Sequence, residues 1–245
     1  MSSTTVRWMS MFLDVPPPLF DTSTAFWAAM THTLLGPPAG DDDEFVPHQP
    51  VHGDPCLWLQ RTRDGDPACH PDLYVENVEE AAGLARDLGA RTLRDTDGLV
   101  VSTSPGGLPF CLVRHRGQRQ RPEPVGAARS IVDQVCLDIP PGAYDRECGF
   151  WAELTGWERY DDHQDEFERL RRPAEIPYAV LLQRLDDERP AVGAHLDLAA
   201  GDRDAEIARH LAAGARVVRQ TPGWTVLRDP AGMAYCVTGR APGDV

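Results

Sequence analysis

The segment SPGGLPFC at Ser104–Cys111 returns as DPAGMAYC at Asp229–Cys236. Four further blocks, found by working outward from this pair, repeat in the same order: LDVPP at 13–17 and LDIPP at 137–141, AFWAAMT at 25–31 and GFWAELT at 149–155, LQR at 59–61 and 182–184, LGAR at 88–91 and AGAR at 213–216. The separation stays between 123 and 125 residues throughout. This near-constant separation predicts two tandem copies of one domain, so that any site exists twice, or once intact and once decayed.

Length and composition are those of a globular protein with two ordinary domains. The chain has 245 residues, of which 42% are hydrophobic and 25% charged. We expect domains at residues 1–115 and 130–245, joined by a basic Pro/Gly linker at 116–129. No apolar run approaches the ~20 residues of a membrane span, and the N-terminus lacks signal-peptide features. A cytoplasmic protein without membrane partners is therefore expected.

Charge and motifs exclude several functional classes. A net charge of −14 argues against nucleic-acid binding. The basic stretch Arg114–Arg129 is interpreted as a solvated linker, with an RNA-contacting strip as the alternative. The six cysteines form no C-x-x-C pair, and buried thiols are expected at Cys111 and Cys236. Hydrolase-type G-x-S-x-G and P-loop motifs are absent from the sequence.

Hydrophobic periodicity predicts strand–helix–strands twice in each copy. Helices are expected at Thr22–Leu35, Val78–Leu88, Tyr144–Thr155 and Asp202–Ala213. Asp202 is the predicted N-cap of the last helix, and Gly156 and Gly214 are predicted stops. The acidic segment Gly40–Glu44 is predicted to be a loop, as is the acidic cluster around His163 (Asp161, Asp162, Asp165, Glu166).

Three segments of the second copy resemble the glyoxalase/bleomycin-resistance family of the vicinal oxygen chelate superfamily. They are FWAELTGW at Phe150–Trp157, the stretch His195–Val218, and GWTVLRDPAGMAYCV at Gly223–Val237. The C-terminal half resembles the actinobacterial type, and the first copy matches more loosely in the same order. The resemblance implies an α+β fold of four βαβββ modules forming two glyoxalase-like domains, each a cupped mixed sheet with outer helices.

The resemblance also implies metal ligands on the first and last strands of each module. In the second copy these positions fall at Gln134, Leu182, His195 and Cys236; in the first copy they fall at Ser10, Leu59, Asp72 and Cys111. Gln134 and His195 have ligating side chains, whereas Leu182 has none and the expected carboxylates are missing. No cofactor is therefore expected, although a divalent metal stays open if Gln183, Asp138 or Asp197 contributes.

An acid–base site is the alternative chemistry. Strand alternation places His195 and Asp197 on one face and Asp138 on the same face as Gln134. Because histidine titrates near neutral pH, Asp138, His195 and Asp197 are predicted catalytic residues. The plainer interpretations are that Asp138 caps the turn at Pro140–Pro141 and that His195 is a packed residue.

Aromatic residues of the second copy are predicted to contact a ligand. Side chains of this kind stack on planar organic molecules. The predicted ligand-binding residues are the aromatic Trp151, Tyr178, Trp224 and Tyr235, together with Cys236. Trp151 is the repeat equivalent of Trp27, and a core position is the alternative for both.

The leading hypothesis is a protein that binds a small, largely apolar organic molecule, either as a binding or resistance protein or as a metal-independent enzyme of secondary metabolism. The alternatives are a metal-dependent lyase, isomerase or dioxygenase with altered ligands, and an interaction module without a ligand. The expected partner is a small molecule, and the expected state is a monomer or homodimer. The second copy is the better candidate for a site, because Gln134 and His195 replace Ser10 and Asp72.

Overall fold

Each copy of the repeat forms one eight-stranded mixed sheet with two α-helices. The computed structural model describes residues 5–164 and 166–243, excluding the side chains of 162–164. The elements of the first copy are β1 (Val6–Val15), α1 (Pro17–Thr31), β2 (Leu34–Leu35), β3 (Phe45–Gln49), β4 (Leu57–Arg61), β5 (Ala68–Val75), α2 (Val78–Asp87), β6 (Arg91–Thr96), β7 (Leu99–Thr103) and β8 (Pro109–Arg114).

The second copy has the same element order, with a short 3₁₀ turn at Pro141–Ala143 before its first helix. Its elements are β9 (Ser130–Ile139), α3 (Tyr144–Thr155), β10 (Glu158–Gln164), β11 (Phe167–Arg171), β12 (Ala179–Arg184), β13 (Gly193–Ala200), α4 (Arg203–Ala212), β14 (Arg216–Gln220), β15 (Trp224–Arg228) and β16 (Ala234–Thr238). The chain is therefore four βαβββ modules, which confirms the predicted α+β architecture.

Strand order is the same in both sheets. The first sheet runs β2-β3-β4-β1-β5-β8-β7-β6, and the second runs β10-β11-β12-β9-β13-β16-β15-β14. The first and last strands of a module are parallel neighbours, as in β1–β4, β5–β8 and β13–β16, because the helix provides the crossover between them. This pairing places the residues of a module's first and last strands side by side.

Repeated capping residues fix where two of the helices begin. The side chain of Asn77 accepts a hydrogen bond from the backbone N–H of Glu80 at the start of α2. Asp202 does the same for Ala205 at the start of α4, as predicted. Each bond satisfies one of the free N–H groups of the first helical turn. The two caps lie at equivalent positions of the repeat.

Helix α1 begins and ends earlier than the sequence pattern predicts. It starts at Pro17, because proline fits the first helical position, where no N–H is needed. It ends at His32, which adopts the left-handed conformation (φ 52°) that Gly156 adopts after α3 (φ 71°). The predicted last residues of that helix, Leu34–Leu35, form the short strand β2 instead.

Three strands besides β2 were not predicted. Strand β3 contains Pro47, and β10 and β11 are rich in charged residues, so none of them shows a hydrophobic alternation. The predicted loop at Gly40–Glu44 is confirmed. The predicted loop around His163 was wrong for the backbone, since residues up to 164 belong to β10; the side chains of 162–164 and residue 165 lie outside the described part.

The chain divides into two compact units that do not coincide with the two copies. The described residues of unit 1 are 5–10, 70–119 and 135–194, and those of unit 2 are 11–69, 120–134 and 195–243. Unit 1 thus combines the second module of copy one with the first module of copy two. Unit 2 combines the two remaining modules.

Each unit has its own aromatic interior. In unit 1, Phe110 packs edge-on against Phe150 and Trp151, with ring centroids 5.7 and 5.4 Å away. In unit 2, Tyr235 packs edge-on against Trp27, with centroids 5.2 Å apart. Burial of each such ring contributes about 1.5–3 kcal/mol to stability. These contacts anchor the helices α3 and α1 within their units.

Two other predictions concern the linker and the cysteines. Residues 116–129, all of which the structure describes, contain no helix or strand. The domain limits at 115 and 130 stay a prediction. All six cysteines are buried thiols outside any disulfide bond, which confirms the prediction for Cys111 and Cys236. Within the described part of the chain, no helix is long and apolar enough to cross a membrane.

Candidate functional site

Strands β13 and β16 of unit 2 bring together three different ligand-type side chains. Asp197 lies directly opposite Cys236 in the parallel pairing of these strands. His195 precedes Asp197 by two residues and therefore points to the same face of the sheet. The ring nitrogen, carboxylate oxygen and thiol sulfur of the three residues all lie within 4.8 Å of one another. We call this group the unit-2 cluster.

The geometry of the unit-2 cluster centres on the Nε2 atom of His195. This nitrogen is 3.3 Å from Oδ1 of Asp197 and 3.5 Å from Sγ of Cys236. Asp197 is 3% exposed and Cys236 5% exposed, so little water reaches them. A carboxylate in such a position needs compensation from neighbouring donors or a cation.

Gln134 of β9 holds the other carboxylate oxygen. Its Nε2 donates a hydrogen bond to Oδ2 of Asp197. Oδ1 of Asp197 is buried and accepts no hydrogen bond of standard geometry from the described residues. The carboxylate is therefore oriented by Gln134 and presents its second oxygen to His195 and Cys236.

Burial and charge act in opposite directions on the two acids of the cluster. Burial by itself would raise the pKa of Asp197, but the polar contact and charge of the nearby His195 ring, the Arg240 charge and the Gln134 amide outweigh it and lower that pKa. Burial, with the nearby Asp197 charge, raises the pKa of the Cys236 thiol to about 11. Asp197 is thus ionised near neutral pH, while Cys236 keeps its proton unless a cation replaces it.

Unit 1 contains an equivalent group at His70, Asp72 and Cys111. Asp72 lies opposite Cys111 in the parallel β5–β8 pairing, as Asp197 lies opposite Cys236. The sequence alignment that paired Asp72 with His195 was therefore wrong by two residues. The signal was present in the sequence, because HPDL at 70–73 returns as HLDL at 195–198 with the same separation as the two cysteines. We call this group the unit-1 cluster.

The other predicted metal-ligand positions lie in other surroundings. Leu182 is fully buried, and on the same strand Gln183 accepts a hydrogen bond from the thiol of Cys136 at 3.5 Å. Leu59 is also fully buried. Asp138, a predicted catalytic residue, is half-buried on β9. Its catalytic role stays a prediction.

The predicted ligand-contact residues fall into three groups. Trp224 shares a sheet face with Cys236, because Val226 lies opposite Cys236 and Trp224 is two residues from Val226. Tyr235 faces the opposite side, where its hydroxyl lies 2.8 Å from Nδ1 of His210. The remaining two are interior residues of unit 1, Trp151 and Tyr178. For all five the contact with a ligand remains a prediction.

Comparison with known proteins decides the family. The family model described as the glyoxalase-like domain matches residues 10–113 and again residues 134–238. This chain belongs to the glyoxalase-like domain family. A search of the curated proteins finds no match.

Solved structures share the fold of this glyoxalase-like chain at low sequence identity. The Mn(II)-bound glyoxalase from Novosphingobium aromaticivorans is 18% identical, with a TM-score of 0.65, over 96% of this chain and 82% of that one. Homoprotocatechuate 2,3-dioxygenase from Brevibacterium fuscum (E323L mutant) is 15% identical, with a TM-score of 0.67, over 98% and 72%. A mutant of 4-hydroxymandelate synthase from Streptomyces coelicolor is 12% identical, with a TM-score of 0.63, over 98% and 94%.

Proposed function

We propose that this glyoxalase-like protein binds a divalent metal ion at the unit-2 cluster and acts there on a small organic molecule. The supporting observation is the convergence of His195 Nε2, Asp197 Oδ1 and Cys236 Sγ within 4.8 Å. The buried Oδ1 atom accepts no standard hydrogen bond from the described residues, so a bound cation would stabilise its charge. The Mn(II)-bound glyoxalase with the same fold adds support.

The donor set favours zinc over the harder divalent cations. Imidazole nitrogen, thiolate sulfur and one carboxylate oxygen are ligands of Zn²⁺, whereas Mg²⁺ and Mn²⁺ prefer sites made of oxygen. Three protein ligands leave a fourth position for water or substrate, as is typical of catalytic zinc sites. A bound ion would supply Lewis-acid polarisation of a carbonyl or hydroxyl group of the organic molecule.

The protein's own residues orient this site and limit its access to water. Gln134 fixes one oxygen of Asp197, so that the carboxylate is held without rotating. The low exposure of Asp197 and Cys236 strengthens any electrostatic interaction made there. Trp224 is half-buried on the same sheet face as Cys236, and we expect it to stack on a planar part of the substrate.

Metal analysis of the purified protein tests the proposal. We expect stoichiometric zinc in the wild-type protein and loss of the unit-2 ion in His195→Ala and Cys236→Ser. Cys148→Ala is the matched control, because Cys148 is a buried thiol of α3 outside both clusters. A wild-type protein that neither retains metal nor binds added Zn²⁺ with micromolar or better affinity would contradict the proposal.

A second candidate is metal-independent binding or catalysis with His195 as general base. It is favoured by the Asp197 carboxylate 3.3 Å from the ring of His195, which would hold the imidazole in one orientation. Under this alternative a metal-free protein still binds its organic ligand, and Asp197→Asn reduces turnover without changing metal content. Ligand screening of chelator-treated protein, with folding verified by circular dichroism, separates the two candidates.

A further inference from the structure

Three exposed arginines lie on the hairpin formed by β14 and β15 in unit 2. They are Arg216 and Arg219 of β14 and Arg228 of β15. Arg216 stands directly opposite Arg228 in the antiparallel pairing. Like charges at directly opposed positions repel each other and destabilise a strand pair. The hairpin therefore carries a concentration of positive charge that strand pairing alone does not favour.

No carboxylate of the described residues neutralises these arginines. Arg228 donates a hydrogen bond to the backbone carbonyl of Gly232, 2.6 Å away. Neither Arg216 nor Arg219 forms an ion pair or a side-chain hydrogen bond with another described residue. The chain has 38 acidic and 24 basic residues, so this local excess of positive charge is opposite in sign to the whole chain. A bound anion would compensate it.

Strand pairing places Arg219 in line with the unit-2 cluster. Arg219 lies opposite Val226 of β15, and Val226 lies opposite Cys236 of β16. Asp197 of β13 in turn lies opposite Cys236. Because directly opposed residues point to the same face of a sheet, this row joins the arginine to the cluster across four strands.

The other two arginines share that sheet face. Arg228 is two residues from Val226, and Arg216 lies opposite Arg228. The pairing is irregular between Val217 and Arg219, as in a β-bulge, which keeps Arg216 and Arg219 on one side although they are three residues apart. All three guanidinium groups therefore start from the face that carries the cluster.

This face of β15 is open, whereas the opposite face is packed. Thr225 and Leu227 are fully buried, while Trp224 and Val226, on the side of the arginines, are only half-buried. Two strand spacings separate β14 from β16, which is about 10 Å. A molecule with one ring over Trp224 and Val226 would extend from the cluster toward the arginines.

We infer that the organic molecule bound in unit 2 is a small planar oxyanion, an aromatic carboxylate or phosphate, whose charged group is held by Arg216, Arg219 and Arg228. This inference rests on the proposed function, because the unit-2 cluster fixes where the other end of the molecule lies. Guanidinium groups bind carboxylates and phosphates through paired N–H donors. The arginines bind and orient the molecule and take no part in making or breaking bonds.

Unit 1 lacks one of the three arginines. Arg91 and Arg94 occupy the β6 positions equivalent to those of β14, but Thr103 stands opposite Arg91 where unit 2 has Arg228. Because threonine carries no charge, we expect unit 2 to bind the oxyanion more tightly. Arg228→Thr places the unit-1 residue in unit 2 and is therefore the most informative substitution.

Calorimetric titration of the full-length protein with benzoate, phenylphosphate and the uncharged benzamide tests this inference. We expect one of the two anions to bind at least about 10-fold more tightly than benzamide. Arg216→Gln, Arg219→Gln and Arg228→Thr should each weaken that anion about 3–10-fold, since the side chains are exposed, and leave the affinity for benzamide and the zinc content unchanged. Tighter binding of benzoate would identify a carboxylate, and tighter binding of phenylphosphate a phosphate.

Arg94→Gln is the matched control in unit 1, and circular dichroism verifies that every variant is folded. An equal loss of anion affinity in Arg94→Gln would overturn the assignment to unit 2. Bound zinc with equal affinities for the two anions and benzamide would overturn the inference and leave the proposed function standing. Anion binding that weakens in Arg219→Gln, in a protein that binds no zinc, would support the arginine site and contradict the proposed metal function.

Discussion

The indole Nε1 of Trp27 donates a hydrogen bond to Oδ2 of Asp229, 2.9 Å away in the interior of unit 2. In unit 1 the equivalent indole, that of Trp151, donates at the same distance to Oε1 of Glu147. Each unit therefore places a buried carboxylate against a helix tryptophan. The two carboxylates come from different elements, a β-turn in unit 2 and a helix in unit 1.

The carboxylate and a serine occupy exchanged positions in the two units: one is on the helix where the other is at the turn. In unit 2, Ser23 of α1 lies beside Asp229, with Oγ 3.5 Å from Oδ2. In unit 1 the helix position carries Glu147 and the turn position carries Ser104, which also hydrogen-bonds the carboxylate. Burial raises the pKa of both Glu147 and Asp229. Either arrangement gives the indole one acceptor, and two carboxylates together would repel each other.

Transplanting the unit-1 arrangement into unit 2 should restore a lost hydrogen bond. Asp229→Ser keeps an acceptor for the Met233 N–H, as Ser104 does for Leu108, but leaves the Trp27 indole without one. We expect this variant to lose about 1–3 kcal/mol of unfolding free energy. Adding Ser23→Glu and Ala231→Gly should recover part of that loss. Chemical denaturation of the single and triple variants measures it.

The matched control for this exchange is Ser23→Glu alone. It places two carboxylates beside one indole and should be less stable than the wild-type protein. If the triple variant is no more stable than Asp229→Ser, the residues at positions 23, 229 and 231 are not energetically coupled.

Gly106 is required in unit 1 because Val192 and Glu147 lie against it. A Cβ at this position would meet Cγ2 of Val192 at 2.4 Å and Oε2 of Glu147 at 2.7 Å. The equivalent position of unit 2 is Ala231, where the smaller Ser23 stands on the helix. We expect Gly106→Ala to destabilise the protein by about 1–3 kcal/mol. Ala231→Gly, the reverse change, should cost at most about 1 kcal/mol.

Thermal and urea unfolding of these two variants measure whether Gly106→Ala loses more stability than Ala231→Gly. Equal losses of stability in Gly106→Ala and Ala231→Gly would mean that Val192 and Glu147 do not limit the space at the turn.

His48 should make folding sensitive to mildly acidic pH. It is 1% exposed, and burial lowers its pKa to about 4. The unfolded chain gains a proton at this histidine below about 6.5, whereas the folded chain does not until about 4. Its contribution to stability is therefore present above pH 6.5 and lost as pH falls toward 4, by about 3 kcal/mol at most.

His48→Asn tests this pH dependence, because an asparagine oxygen can replace the ring Nδ1 that lies 3.1 Å from the Thr33 hydroxyl. The variant should show a smaller slope of unfolding free energy against pH between 4 and 6.5 than the wild-type protein. An unchanged slope would assign the sensitivity to other groups. His52→Asn, at an exposed position, is the control.

Gln134 should position the Asp197 carboxylate, which we propose as a metal ligand, without being a ligand itself. Gln134→Ala removes the hydrogen bond to Oδ2 of Asp197, and we expect zinc affinity at the unit-2 site to fall about 10–100-fold. The measurement is competition with a chromophoric chelator, with metal stoichiometry as a second readout.

Ser10→Ala is the matched variant in unit 1 and should leave the unit-2 affinity unchanged. If Gln134→Ala abolishes zinc binding at the unit-2 site, Gln134 would itself be a ligand, and wild-type affinity in this variant would contradict its positioning role.

Local patterns were sufficient to predict most of the fold. The five repeated blocks, the caps such as Asp202 and the glycine stop at Gly156 act over a few residues, and all are confirmed by the structure. The charged strands β10 and β11 escaped prediction because their pairing with neighbours, not their own hydrophobicity, makes them strands.

Only some residues of the two clusters could be identified from the sequence. His195, Asp197, Gln134 and Cys236 were all singled out, but His70 was missed, because an alignment shifted by two residues keeps every side chain on the same face of a strand. The pairing of Asp72 with Cys111 shows that His70, and not Asp72, corresponds to His195.

The sequence by itself determined the duplication, the four modules and the family, because these depend on short repeated motifs and local propensity. The tertiary structure decided which residues share a site and which carboxylate serves which indole. Trp27 and Asp229 stand 202 residues apart, and His195 and Cys236 stand 41 apart. Contacts over such separations depend on strand pairing and helix packing, which no local pattern encodes.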